Sequence, residues 1–291
     1  MSADAVSTHR SRLDKATRQI VLRTRGNSHG PITRLVSPGD LGQYIKPFVF
    51  LDYFDAEPKN APRFGFHPHS GIATLTLILS GQAFYKETTD REGVIETGGV
   101  EWMRASGGIW HTGGMSGEER TKGFQLWVAL PPALELAEPE SQYLSASDFK
   151  SVGPARVITG EYDGVKSIIT SPEDLTYLDV RLKAGDRWRF TPPNGHNVAW
   201  VASHEGLLST PALARISHRI ECIRAANQRK PLCHNHFSPN RGAPGCPRNV
   251  SRICLDLNLL KDARWWRRST PVWSPRMPEH CCFARRTAPS R

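Results

Sequence analysis

Two histidines one residue apart, His67-Pro68-His69, have the types and spacing in this 291-residue chain that most directly suggest chemistry. In an extended segment, residues i and i+2 face the same way, so two neutral imidazoles there can reach one metal ion. His111 follows 42 residues after His69, enough chain for three or four strands to go out and return. It lies in Gly107-Gly108-Ile109-Trp110-His111-Thr112-Gly113-Gly114, where glycines allow a tight backbone turn beside a site. The motif is short and the chain holds eleven histidines. A surface or hydrogen-bonded pair therefore stands beside metal binding as a reading of the spacing alone. His196 follows Pro192-Pro193-Asn194-Gly195 without a histidine two residues away, and reads as a turn residue.

The elements that must position these side chains are short and β-like. Phe48-Val49-Phe50-Leu51, Thr74 to Leu79, Ala83 to Thr88, Phe124 to Leu130, Val157-Ile158-Thr159 and Tyr177 to Leu182 are separated by Gly, Pro and Asp. Thr74-Leu75-Thr76-Leu77 alternates with period two, as a half-buried strand does. Ser80-Gly81-Gln82 supplies a turn into the next run. Strands at this spacing predict an all-β sandwich or barrel. One helix is expected, Ala133 to Glu140, started by Pro131-Pro132 and ended near Pro139. A strand–turn–strand pattern at Leu75–Lys86 recurs at Tyr177–Phe190, which predicts two tandem units with a boundary near residues 135–155.

Charge and cysteine divide the chain differently. Residues 216–291 hold 15 Lys+Arg against 4 Asp+Glu, a net of +11, leaving 23 basic and 24 acidic residues in 1–215. All six cysteines (Cys222, Cys233, Cys246, Cys254, Cys281 and Cys282) lie in the same last quarter. The balanced body argues against a nucleic-acid-binding protein, although a basic tail with tryptophans has the chemistry for phosphate contacts and stacking. Cys233, His236, Cys246 and Cys254 lack the paired C-x2-C rhythm of zinc ribbons. The step in composition is what an out-of-frame reading of a GC-rich gene produces, and 216–291 is read as such a tail. No run of eighteen apolar residues predicts a membrane-spanning helix. With no signal-like N-terminus and no cysteine in the body, a cytoplasmic location is expected.

Several blocks then resemble one family. Phe66-His67-Pro68-His69-Ser70-Gly71, Val100-Glu101-Trp102-Met103-Arg104-Ala105, Gly108-Ile109-Trp110-His111 and Gly123-Phe124-Gln125-Leu126-Trp127-Val128 look like the signature of pirins. Pro47-Phe48-Val49-Phe50-Leu51-Asp52 is similar to the family's opening strand, and Tyr177-Leu178-Asp179-Val180 to a motif of its second domain. The resemblance implies two tandem cupin-type β-barrels, a bicupin, with one metal in the first. The expected organisation is a flexible segment over 1–30, an N-terminal cupin barrel over 31–140, a partial C-terminal barrel over 141–215 and an irregular basic tail over 216–291. Family ligands carry over onto His67, His69 and His111, for one divalent transition metal, Fe(II) being expected and others admitted.

Two family glutamates do not carry over, because their positions are Gly113 and Ala73. Carboxylates balance the charge of such ions and supply a base, so their loss bears directly on oxygen chemistry. Glu101 and Glu87 substitute only if the fold aims them inward. Trp102, Trp110 and Trp127 read as barrel core rather than as walls of a substrate pocket, and Arg104 as a solvated rim residue. Pirins include nuclear transcriptional cofactors and bacterial proteins that open flavonols with dioxygen, as quercetin 2,3-dioxygenases. The resemblance thus implies either an oxidoreductase acting on a flavonol or related enol, or a non-enzymatic metal-dependent regulator that binds a protein partner.

Overall fold

The computed structural model describes residues 19–210 apart from 173, 197 and 207, together with strands at 213–216, 220–224 and 251–255. The chain divides into Met1–Lys261 and Asp262–Arg291, and every described residue belongs to the first unit. Its regular structure there is almost entirely strand, with only short 3-10 turns such as Leu41–Gln43, Pro58–Asn60 and Ala146–Asp148.

In chain order the first strands are β1 (Gln19–Thr24), β2 (Asn27–His29), β3 (Ile32–Val36), β4 (Phe48–Ala56), β5 (Phe64–His69) and β6 (Ile72–Ser80). They are followed by β7 (Gln82–Glu87), β8 (Glu92–Ile95), β9 (Val100–Arg104), β10 (Ile109–Ser116), β11 (Thr121–Ala129) and β12 (Glu140–Leu144). Seven of them form one sheet in the order β12-β9-β6-β11-β4-β3-β2, and four form another in the order β5-β10-β7-β8. Side chains bridge the two. Tyr85 on β7 stacks on Tyr143 of β12 at 3.5 Å between ring centres, and Ser141 on β12 donates to Glu87 on β7 at 2.8 Å.

The alternation of strand residues decides what each face of the larger sheet carries. Ala73, Leu75 and Leu77 of β6, Val100 and Trp102 of β9, and Phe124, Leu126 and Val128 of β11 join one buried apolar cluster. Leu35, Phe48, Phe149, Ile158 and Leu175 belong to it as well, so this face packs against the second half of the unit. At about 1.5–3 kcal/mol for each large side chain withdrawn from water, the cluster is the main source of stability. The opposite face carries Thr74, Thr76, Glu101 and Trp127, and it looks toward the smaller sheet.

Ser80-Gly81-Gln82 does turn the chain, but not into a hairpin. β6 pairs with β9 and β11, whereas β7 pairs with β8 and β10, so this corner carries the chain from one sheet to the other. Gly81 sits there at φ +71, close under Thr121, where a side chain has neither the conformation nor the room.

The second half is broken into short sheets. Ser151–Val152, Ala155–Thr159 and Tyr177–Val180 form one, and Val198–Ala202 pairs with Ile220–Arg224, which pairs in turn with β1. Lys183 to Asp186 makes the expected turn, with Gly185 at φ +88.

Within the lead-in segment the described residues form strands β1 and β2, held by Ile220–Arg224 and by β3. Within the basic tail the described residues form strands at Ile220–Arg224 and Ser251–Leu255, the latter pairing in parallel with Arg187–Phe190. Its other residues, Cys233, His236 and Cys246 among them, lie outside the described residues. One local expectation is corrected: Ala133 to Glu140 is not a helix. It forms turns, with Leu134 N–H donating to Pro131 at 2.8 Å, before β12 begins at Glu140. A stretch this short between prolines cannot meet the cost of nucleating a helix, and Ala137 instead accepts the N–H of Gly107 at 2.9 Å.

Candidate metal centre

The three histidines converge. β5 and β10 are adjacent and antiparallel, and their register sets His111 directly opposite His67. His69, two residues further along β5, shares the face of His67, as extended geometry requires. One nitrogen from each ring lies within 4.8 Å of the others. His67 and His111 bring their Nε2 atoms to 3.1 Å. Metal–nitrogen bonds of about 2.0–2.1 Å at tetrahedral to right angles place neighbouring ligand nitrogens about 2.8–3.4 Å apart, so this spacing suits one shared ion.

The protonation chemistry also fits. Gly65 carbonyl lies 2.8 Å from His67 Nδ1, so Nδ1 donates there and Nε2 is left with its lone pair facing His111. His69 Nε2 is shut off from solvent and has no hydrogen-bond partner among the described residues. Burial, with the neighbouring histidines adding to it, holds the imidazolium of His69 down to about 4 and that of His111 to about 3. Both rings are therefore neutral near pH 7, the state a ligand nitrogen requires. Three imidazoles, one with a buried and unpaired nitrogen, are a set that fits a transition metal ion.

The fold does aim two carboxylates inward. Glu101 is 4% exposed, and its Oε1 lies 3.9 Å from Nδ1 of His111, on the far side of the ring from the nitrogen that faces His67. Its Oε2 accepts from Thr76 Oγ1 at 2.6 Å and its Oε1 from the Tyr143 hydroxyl at 3.4 Å. Burial pushes the Glu101 carboxyl up to about 7; the Thr76 bond opposes the rise and the nearby Glu87 charge adds to it. Glu87, set opposite His111 in the β7–β10 register, accepts from Thr89 at 2.7 Å and from Ser141 at 2.8 Å. Neither carboxylate joins the three histidines as a ligand. Glu101 instead backs one of them.

The two lost family glutamates prove to be different cases. Gly113 is on β10 two residues after His111, where a Cβ would meet only the Phe84 carbonyl, at 3.0 Å. Ala73 belongs to the apolar cluster on the opposite face of the large sheet, so a carboxylate there would point away from the histidines. Only the loss at Gly113 bears on the centre.

The three tryptophans also separate. Trp102 is in the core as expected, at 2% exposure. Trp110, opposite Pro68 of β5, faces outward and is 51% exposed, because it alternates with the inward His111. Trp127 stacks flat on Phe50 at 4.0 Å and meets the His69 ring edge-on at 5.0 Å, which makes it a wall of the centre rather than core. Arg104 is paired with Glu140 at 3.0 Å. The His196 N–H closes a turn onto Pro193 at 3.3 Å, as its sequence context suggests.

Comparison with known proteins is consistent with this arrangement. The pirin family model matches residues 31–128, which include all three histidines. A putative quercetin 2,3-dioxygenase of Pseudomonas aeruginosa is 36% identical over 186 residues, 59% of this chain and 65% of the relative. A pirin-like protein of Solanum lycopersicum is 30% identical over 202 residues, 67% of this chain and 68% of the relative. The chain thus spans just under two thirds of the bacterial relative's length. Among solved structures, a quercetin 2,3-dioxygenase from Acinetobacter baumannii superposes with a TM-score of 0.63 at 26% identity, covering 72% of this chain and 80% of that one.

Proposed function

The chain belongs to the pirin family, and from that premise we propose that it binds one divalent transition metal ion, Fe(II), and acts as a dioxygenase on a flavonol or related enol. The observation that carries this reading is the convergence of His67, His69 and His111 on one interior face, with Glu101 behind His111. An ion held there would supply Lewis acidity and open positions for oxygen ligands.

The chain's own residues set the conditions. Gly65 fixes the tautomer of His67, and Glu101 favours an Nδ1-protonated His111 whose Nε2 is free to bind. Trp127 and Phe50 supply a wall of stacked rings beside His69. Glu101 is a buried carboxyl whose proton affinity burial raises to about 7, which suits a group that holds and releases a proton. The substrate is a small molecule, and the setting is cytoplasmic. Among the described residues no helix is long and apolar enough to cross a membrane.

Gly113 favours a second reading, a non-enzymatic regulator in which the ion shapes a surface for a protein partner, because no carboxylate stands at the position where the family places one. An oxygen-electrode assay of the Fe(II)-loaded chain with quercetin separates the two. Oxygen consumption matched by loss of the flavonol absorbance is expected from the dioxygenase. Bound iron with quercetin left intact would reject the flavonol as substrate and favour the regulator.

A further inference from the structure

We infer that Thr74 and Trp127 form a pair of hydrogen-bond donors that receives the anionic oxygen of a small ligand at the histidine centre. The inference deepens the metal reading above and rests on it.

The reasoning starts from strand parity. Thr74 lies two residues before Thr76 on β6, and Thr76 is fixed to the interior by its bond to Glu101. Thr74 therefore faces the interior too, while Ala73 and Leu75 point into the apolar cluster on the other side. Thr74 is 0% exposed, and its hydroxyl has no hydrogen-bond partner among the described residues. Trp127 on β11 is its direct cross-strand partner in the β6–β11 register. Directly opposed side chains on one face of a sheet are within reach of each other. The indole Nε1 of Trp127 is likewise buried and without a partner.

The ring of Trp127 touches His69, whose Nε2 is the third buried polar atom in this neighbourhood lacking a partner. Buried polar groups in folded proteins are nearly always satisfied, and leaving one unmade costs about as much as losing a hydrogen bond. Others occur elsewhere in the described residues, but these three fall together, on two neighbouring strands and on the histidine against which one of them packs. Two carry hydrogens and the third is a metal-type donor. Together they suit a ligand that offers an oxygen both to an ion and to two hydrogen-bond donors.

Charge specifies that oxygen further. Three neutral imidazoles leave the two positive charges of a divalent ion without a compensating carboxylate, and Gly113 provides none. An anionic oxygen, enolate or carboxylate in kind, is then favoured over a neutral one. The two donors are neutral and add directionality without adding charge. Phe50 holds the indole plane by flat stacking at 4.0 Å, so the N–H direction is fixed by packing before any ligand arrives.

The experiment uses the full chain loaded with Co(II), whose visible spectrum reports its ligands, and titrates it with maltol, a hydroxypyranone that binds cations through an enolate oxygen. Thr74→Val removes the hydroxyl at nearly constant shape, and Trp127→Phe keeps the stack on Phe50 but removes the N–H. Each is expected to weaken maltol about tenfold, the loss of one hydrogen bond to a charged oxygen, with Co(II) stoichiometry unchanged. Thr74→Ser restores the hydroxyl and is expected to bind maltol like the parent.

Equal maltol affinity in the parent, Thr74→Val and Trp127→Phe would overturn the inference. It is also the result expected if the indole N–H is satisfied by the face of the His69 ring alone. A parent that binds Co(II) but no maltol overturns it as well. A parent that binds no Co(II) removes the metal reading and the inference together, an outcome distinguished by the metal stoichiometry measured first.

Discussion

His111→Ala is expected to leave the purified chain without metal. The substitution removes the ligand that β10 would contribute and leaves His67 and His69, both from β5, to hold an ion alone. Losing a group that merely orients a ligand costs about 10–100-fold in affinity, so losing a ligand is expected to cost at least about 100-fold. Occupancy measured by elemental analysis after dialysis should fall from about one ion per chain to background. The fold is expected to survive, because His111 stands apart from the large apolar cluster and is flanked on β10 by the exposed Trp110 and by Thr112. A retained β-type circular dichroism spectrum checks that the loss belongs to the centre. His111→Ala protein with full metal content would place the ion elsewhere.

The second large effect is expected from a residue that is not a ligand. Glu101→Gln keeps the shape of the side chain and an oxygen for Thr76, but removes the negative charge that the ionised carboxyl places 3.9 Å from Nδ1 of His111. That distance is too long for a formed hydrogen bond, so the interaction is largely coulombic. A charge so placed is weakly screened in the interior and favours a dication bound on the other side of the ring. Metal affinity is expected to fall about 10–100-fold in a competition titration against a chelator, with His67, His69 and His111 all present. The metal-free protein should be no less stable, since burial of the carboxylate is itself costly. Those opposite responses separate Glu101 from an ordinary structural residue. Equal loss of metal-free stability and of affinity would assign it to packing alone.

The histidines were legible because one structural rule, alternation along a strand, connects His67 to His69 without knowledge of the fold. His111 was legible through the resemblance of Gly108-Ile109-Trp110-His111 to the pirin signature, the glycines adding only that the chain can turn there. Glu101 was not, because its direction depends on the register of β9 against β6, a relation between segments 25 residues apart. The available signal was a glutamate inside Val100-Glu101-Trp102-Met103, a strand otherwise made of bulky core residues.

Ala73 shows how alternation misleads when a strand ends. Counting by twos from His69 puts residue 73 on the histidine face. Ser70 and Gly71 break the count, since Gly71 stands at φ +69 and the chain leaves the four-stranded sheet for the seven-stranded one. Thr74 faces inward instead. At Ser80-Gly81-Gln82 the turn was legible but the change of sheet was not, because local residues specify that the chain turns but not which sheet it joins. Trp127 was read as core for a related reason: its packing against Phe50 is core-like, and only the assembled sheets bring His69 to its edge.

The most direct test is an anaerobic titration of the metal-stripped full chain with Fe(II), followed by calorimetry. A single saturable site at one ion per chain is expected, lost in His111→Ala and weakened in Glu101→Gln. Absence of saturable binding, or a titration that His111→Ala leaves unchanged, would contradict a metal centre built from His67, His69 and His111.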